Sequence, residues 1–460
     1  MIGIGIITLI IYIGMIIVLN VVIKRSMGES MLWSCLVMLI IGGVFDGQNV
    51  IDMFVDAFSY SAKQEVIYAG LAFVFMAYVL DKTGVIGRLV NILNSLIGWL
   101  PGGSGYVATI GSALFGMISG VASASAASIG SVTIPWMQKT GWSKERSASI
   151  VAGNGGLGNV FPPSSVMLLV LGIDAVAAEV TSNDLYVALF GVGAIVMIVR
   201  LAIVFIMARQ EGLKAVPKEE VIPIGQSLKE NGSALIIFLG ILVPLLFTMF
   251  GTGEWIESRL AGTEGAFGSM SLIFWIPILI TFFAIIEGWK YLPHDFGGWK
   301  EICSSSIGRF SDLGAMLFCA FLASRLLTKL GMSDEFSALF DTLNQNGASS
   351  LVIIFAIVII ITAMVGPFNA TATTSAMCAV CFMAMRSIGI PAVTAAVAFI
   401  NLVSNQSCIP PNSAPIYIAC GIANVEQPFK IFKDLIVYYA VPEIIIVLLL
   451  MFRVIPVIGA

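Results

Sequence analysis

The sequence predicts an all-α polytopic membrane protein built on an inverted repeat, with two re-entrant helical hairpins and two broken helices. Three observations predict it. The 460 residues are 58% hydrophobic and only 11% charged, with a mean hydropathy of +0.99, where a soluble domain would be near a quarter charged. Two long apolar regions, 105–173 and 349–422, each carry a run that no regular helix can traverse. These two regions match each other in almost ungapped register.

The composition also excludes. No basic patch exceeds Lys24-Arg25, so nucleic-acid binding is not expected. A single histidine, His294, and scattered carboxylates supply no metal-ligand cluster. No nucleophile–base pair marks an enzyme. The seven cysteines fall mostly in apolar stretches and read as small buried hydrophobes rather than disulfides. Cys378-x-x-Cys381 lies in an apolar segment without a thioredoxin-like context, so it is not read as a redox pair.

Taken in order, apolar windows of spanning length occur near 2–23, 31–51, 66–81, 186–208, 234–252, 270–287, 311–330 and 433–455. The first is too long for a signal-peptide core and lacks a cleavage motif, so it is expected to be a retained span. Between 86 and 100 the apolar residues recur at helical spacing with polar residues opposite, the pattern of an amphipathic helix lying flat at the interface. The polar stretch 209–233 reads as a linker between two halves. In the two long regions a hairpin is expected to precede a long helix that breaks. The breaks are the runs Asn154–Ser165, with three glycines and Pro162-Pro163, and 402–413, with Pro410-Pro411. Glycine opens the backbone, while proline removes donors and bars the α region upstream. Irregular backbone at membrane depth survives only where protein buries it or it lines a watery cavity.

The repeat is explicit. Gly141 and Pro162-Pro163 recur 248 residues later as Gly389 and Pro410-Pro411, Ser123 as Thr371, and Ser125 as Thr373. With each hairpin re-entrant, five crossings separate the two copies, an odd number, so the copies face opposite ways. Charge supports this orientation. It places 16 of the 23 Lys and Arg residues inside, 6 outside and Arg200 within a span, with both termini outside. Inverted repeats with broken helices meeting near the midplane are the pattern of secondary transporters.

Both hairpin tips, Ile118–Ser131 and Gly366–Ser375, are dense in small residues and hydroxyls. Small residues let backbones approach closely. A re-entrant tip also presents the positive end of its second limb, which suits a carboxylate. The candidate substrate-binding residues are Ser123, Ser125 and Asn154 in the first copy and Thr371, Thr373 and Asn405 in the second. The unwound carbonyls and hydroxyls of the breaks can ligate a hard cation. These regions contain no Asp or Glu, so neutral oxygens fit Na⁺ better than a proton relay. Taken one at a time, such hydroxyls are equally ordinary helix-packing positions.

Four lone charges stand in or beside apolar segments. Glu443, in the last span and outside the repeats, reads as a structural or subunit-contact residue ahead of a proton-coupling one. Arg200 and Arg325 are expected to snorkel or pair. Arg386 reads most simply as an outside-facing interfacial charge, with steering of an anionic substrate as the alternative.

Several runs carry a family resemblance: Leu80–Val90, Leu100-Pro-Gly-Gly103, Gly116–Gly120, Ala126–Ser131, Val160–Ser164, and in the second half Asn401-Leu-Val, Ile409-Pro-Pro, Gly421-Ile-Ala and Pro428-Phe. In order and over nearly the whole chain, they resemble the large membrane subunit of TRAP transporters, the DctM-like permeases. The resemblance implies an elevator-type ion-transporter fold and Na⁺-coupled import of small organic acids such as C4-dicarboxylates or sialic acid. It also implies two partners, a small four-span membrane subunit and an extracytoplasmic binding protein, and location in the bacterial cytoplasmic membrane. Carried over by motif, the Na⁺ ligands would include Ser119, Gly120, Gly158 and Asn159 in the first copy, and Gly366, Asn369, Thr374 and Ser407 in the second. The chain departs from the family pattern at Ala124-Ser125 and Asn369-Ala-Thr371, where acidic residues are usual. The alternative on the same fold is a stand-alone carboxylate symporter that needs no binding protein. The expected division is scaffold at 1–65, 176–310 and 426–460, and inverted repeats at 66–175 and 311–425.

Overall fold

The computed structural model describes residues 3–458 other than 120–121, 218–220, 250–251, 260–271, 333, 336–337, 339–341, 343–349 and 411–412. No strand occurs among the described residues. Helix α1 (Ile4–Ile17) continues into a π-helical turn at Val18–Val22. Its first free amides are capped from far away: the Glu335 carboxylate accepts from Gly5 N (3.0 Å) and Ile6 N (2.9 Å). Helix α2 (Met27–Phe45) starts at Ser26, whose hydroxyl accepts from Glu29 N. A helix absent from the sequence expectation follows, α3 (Val50–Ala62), capped by Asn49. Asp46, Asp52 and Asp56 interrupt the hydropathy there, and amphipathic spacing carries the helix instead.

The first repeat opens with α4 (Glu65–Thr83), which stops at Gly84 in the left-handed region, φ +65°. The expected amphipathic helix is α5 (Val85–Ile97), with Val85, Leu89, Val90 and Ile92 buried. Its Arg88 forks onto the Glu287 carboxylate (Nη2–Oε2 2.6 Å) and Thr83 O (3.0 Å). The hairpin α6 (Gly103–Ser119) and α7 (Ala122–Lys139) pair side by side. The broken helix comprises α8 (Lys144–Asn154), one turn α9 (Leu157–Val160) and α10 (Ser165–Leu171). Ser164 caps α10 through Met167 N (3.1 Å), just past Pro162-Pro163. The short α11 (Asp174–Ala177) leads to α12 (Ser182–Gln210).

Then come α13 (Ile224–Asn231), α14 (Leu239–Met249), α15 (Thr252–Glu257), α16 (Leu272–Glu287) and α17 (Phe296–Lys329). α17 begins well before the apolar window at 311–330, because Asp295 caps Gly298 N and the added turns are polar. The second copy continues with α18 (Ser350–Ser387), α19 (Ala392–Ser404) and α20 (Ala414–Ala423). The chain ends with α21 (Phe432–Leu435) and α22 (Val441–Met451). Among the described residues, five helical stretches are long and apolar enough to cross a membrane: 28–45, 65–83, 182–210, 224–244 and 428–451.

The two copies differ at the hairpin. The first is two helices, α6 and α7. The second is assigned as one helical run of 38 residues, α18, rather than two. A straight helix of that length would reach about 57 Å, nearly twice the roughly 30 Å of hydrocarbon. The run is interrupted chemically at its middle: Pro367 has no amide, and Ala370 N donates to Gln406 Oε1 (2.6 Å).

The copies interlock. α20, beyond the second break, lies along α7 and α8 of the first repeat, and α10, beyond the first break, lies on α18. Equivalent side chains mark the exchange. Gln138 at the end of α7 donates to Ala423 O at the end of α20 (3.0 Å). Its counterpart Arg386 at the end of α18 pairs with Glu179 beyond α10 (2.6 Å) and donates to Ile390 O. Arg386 is thus an interfacial charge with a protein partner. The leading helices α4 and α17 pack on one another, α4 also on α16, and α17 on α2 and α3. By contrast α12 and α22 both pack on α19, beside the breaks. The packing groups α4 and α17 with the outer helices, and α12 and α22 with the breaks.

Candidate functional site

The two breaks meet, and the hairpin α6–α7 and helix α18 close on them. Gly156 and the second break are in direct contact: a Cβ on Gly156 would lie 2.7 Å from both Ser404 O and Ser407 Oγ. Ser407 Oγ lies within reach of Gly153 O (3.4 Å) and Ser404 O (3.3 Å), to either of which its one hydrogen can go, and Cys408 Sγ reaches Gly153 O at 3.6 Å. The first hairpin closes on the first break at Gly116, where a Cβ would come within 2.4 Å of Gly158 Cα. The second closes on the second break at Gly366, where a Cβ would come within 2.5 Å of Pro410 O. Only glycine permits these approaches, which is the reason for the residue type.

The predicted site residues fall as follows. Ser407, Gly158 and Gly366 stand at these contacts. Asn154 donates to Thr109 Oγ1 (2.9 Å) and Ile150 O (2.8 Å), which ties the end of α8 to the first hairpin. Ser125 donates to Ser112 O across that hairpin (3.2 Å), so its hydroxyl serves packing. Thr374 bonds back to Ala370 O (2.7 Å) within its own helix. Thr373 is buried, and Ser123 and Thr371 are half-buried. Asn159 and Asn405 lie buried in the two breaks. Gly120, and the side chains of Ser119 and Asn369, lie outside the described residues.

Several buried oxygens on the two breaks keep unused capacity. Asn154 Oδ1, Asn401 Oδ1, Asn405 Oδ1 and Ser413 Oγ have no partner among the described residues. All are neutral, and no group of three or more His, Cys, Asp or Glu occurs among the described residues. Neutral oxygens of this kind are ligands that a hard cation accepts rather than a soft metal. Behind the site, Arg200 of α12 and Glu443 of α22 form a buried ion pair (2.8 Å). Two of the four lone charges therefore pair with each other.

Sequence reasoning did not single out Thr109 and Ser112 of α6, or Gln406. A signal existed for the first two: Gly105, Thr109, Ser112 and Gly116 recur at spacings of 4, 3 and 4, one face of a helix. On that face Thr109 and Gly116 meet the first break, at Asn154 and Gly158. Gln406 leaves no such trace, because its partner is an amide 36 residues away.

A family model described as the tripartite ATP-independent periplasmic transporter, DctM component, matches residues 13–455. Among curated proteins, the chain is 32% identical over 135 residues to the C4-dicarboxylate TRAP transporter large permease protein DctM of Pseudomonas aeruginosa, covering 29% of this chain and 31% of the relative. It is 26% identical over 214 residues to the sialic acid TRAP transporter permease protein SiaT of Haemophilus influenzae, covering 46% of this chain and 33% of the relative. It is 41% identical over 125 residues to the isethionate TRAP transporter permease protein DctMQ of Oleidesulfovibrio alaskensis, covering 27% and 18%. The matches thus span a third or less of these relatives' lengths. All three relatives are named as transport permeases, in agreement with the expectation of a non-enzyme. Among solved structures, the Alcanivorax borkumensis YdaH transporter superimposes with a TM-score of 0.65 at 14% identity, over 93% of this chain and 98% of that one. The fold is therefore shared with a membrane transporter.

Proposed function

The chain belongs to the DctM component family of tripartite ATP-independent periplasmic transporters and is a multi-pass membrane protein, and from that premise we propose that it is the large permease of a Na⁺-coupled importer of small organic acids. The observation that carries this reading is the contact of the two broken helices at Gly156, Ser404 and Ser407, with buried neutral oxygens on both sides. Neutral oxygens favour Na⁺ over a titrating relay. The cargoes in the names of the three relatives above, C4-dicarboxylates, sialic acid and isethionate, are small anions, which supports an acid as the cargo here. The words tripartite and periplasmic in the family description support two partners, a small membrane subunit and an extracytoplasmic binding protein, and a place in the bacterial cytoplasmic membrane.

The movement we propose is an elevator. The moving body is α6–α12 with α18–α22, the part that holds both breaks. The frame is α1–α4 with α14, α16 and α17, and α5 is the arm between them. The residues that face substrate are Ser123, Asn154, Thr371 and Asn405, with Asn159 and Ser407 toward the cation.

Uptake into proteoliposomes tests the reading. Transport is expected only with a Na⁺ gradient and added binding protein. Uptake driven by a proton gradient in Na⁺-free buffer would overturn the coupling. Uptake by this chain alone, without small subunit or binding protein, would favour the stand-alone symporter. Replacing Ser123 or Thr371 with Trp is expected to abolish uptake while membrane insertion, read by fluorescence size-exclusion, stays normal.

A further inference from the structure

The Arg200–Glu443 pair is deeply buried, with side-chain exposures of 3% and 1% and an Nη2–Oε2 distance of 2.8 Å. Neither residue belongs to a repeat, and neither lines the contact between the breaks. Both reach it from behind. The Arg200 guanidinium sits over the Tyr439 ring, 4.6 Å from its centroid. That ring in turn abuts the first break, since a Cβ on Gly153 would come within 2.5 Å of Tyr439 Cδ1. On the other side Glu443 lies beside Ser404 and Arg200 beside Cys408, both in the second break. The Gly153 carbonyl then closes the ring of contacts, with Ser407 Oγ at 3.4 Å and Cys408 Sγ at 3.6 Å.

An ion pair buried this deeply contributes little net stability, because desolvation offsets attraction, and apolar residues of the same volume serve equally well. Its geometry is what apolar residues cannot reproduce: one fixed distance, with Arg200 planar against an aromatic face. We propose that Arg200 and Glu443 are positioning residues that set the spacing of the two breaks, through Tyr439 and Gly153 on one side and Ser404 and Cys408 on the other. The consequence for cation affinity rests on the Na⁺-coupled reading above.

The test uses the full chain with Cys408 as the only remaining cysteine of the seven. Cys408 is fully buried against Gly153. The Arg200→Met/Glu443→Leu double substitution removes both charges and leaves none stranded, so folding is retained; Glu443→Gln keeps the shape alone. The readouts are the rate of Cys408 modification by a membrane-permeant maleimide and equilibrium binding of ²²Na⁺ to the purified protein. Modification is expected to be at least tenfold faster in both variants, and the ²²Na⁺ Kd about tenfold weaker, with the size-exclusion profile of the double variant unchanged. A wild-type modification rate in the double variant overturns the proposal, as does an unchanged Kd in a chain that binds Na⁺. A starting chain that binds no ²²Na⁺ sinks the Na⁺ reading, and the maleimide rates still decide this one.

Discussion

Gly156 stands where the two breaks touch. An added Cβ there meets a backbone carbonyl and a hydroxyl at 2.7 Å, so the breaks must part. Overpacking of this kind typically costs about 1–3 kcal/mol, and at a contact that forms the site the loss falls on function. Gly156→Ala is expected to reduce uptake more than tenfold. Gly87→Ala on α5, where nothing lies within 4 Å, is expected to leave uptake unchanged and raise thermal stability slightly. Uptake assays on the two alanine variants separate crowding from a general loss of glycine. A second residue-scale prediction concerns Asp56. Hydrogen bonds from Arg325 (2.9 Å) and Lys329 (3.0 Å) hold its carboxyl below the usual range. Its contribution is therefore present above the ordinary carboxylate pKa and lost as pH falls through the lowered one. The pair is partly exposed, so the effect is small, at most about 1 kcal/mol. The thermal midpoint of the wild type should exceed that of Asp56→Asn at neutral pH and converge with it in acid. Nearby, burial pushes the Asp174 carboxyl the other way, up. The Asp56 charge adds to that rise, so Asp174→Asn measured alongside separates the two carboxylates. The glycines and prolines of the site were legible because each reports on its own backbone. The bond from Asn154 to Thr109 and that from Ala370 to Gln406 were not, since a polar side chain in a sequence does not declare its partner.

Among the elements, α5 shows how an amphipathic pattern becomes an attachment. Its apolar face is buried and its Arg88 is clamped to Glu287 at the end of α16, a carboxylate that also accepts from Ser233 (2.8 Å). Removing the arginine leaves Glu287 buried, its side chain 5% exposed, and without its cation. Breaking such a pair typically costs about 3–5 kcal/mol. Arg88→Met is expected to lower the thermal midpoint by several degrees, whereas Glu287→Gln, which keeps hydrogen bonds to Arg88, should lower it less; thermal unfolding in detergent compares them. The arm was legible because helical spacing is a local property. α3 was not, because three aspartates hide it from a hydropathy window, and neither was the polar start of α17. The second hairpin was predicted from its twin. In the second copy the run is α18, with Pro367 and the bond from Ala370 to Gln406 at its middle.

Across the whole molecule, the interlocking of the repeats dictates what can move against what. Gln138 and Ala423 lie at helix ends of different repeats yet within one body, whereas Asp174 and Ser324, joined at 2.6 Å, lie on opposite sides of the proposed seam. A disulfide between Gln138→Cys and Ala423→Cys is therefore expected to leave uptake intact. One between Asp174→Cys and Ser324→Cys is expected to stop it, with recovery on reduction. Uptake before and after dithiothreitol reads both, and full activity with the second bridge closed would remove the elevator. The repeat and its inversion were legible from the offset of the prolines and the sidedness of the basic residues. The assignment of α12 and α22 to the breaks was not, because hydropathy describes a span without naming its neighbours.

The carboxylate that caps α1 carries a consequence in time. Glu335 stands 330 residues beyond Gly5. At synthesis rates of roughly 5–20 residues per second, the first helix spends on the order of 20–70 s with its leading amides open. Helix α1 thus waits on a residue made long after it, and a chain interrupted before Glu335 holds every residue of α1 without the cap of its leading amides.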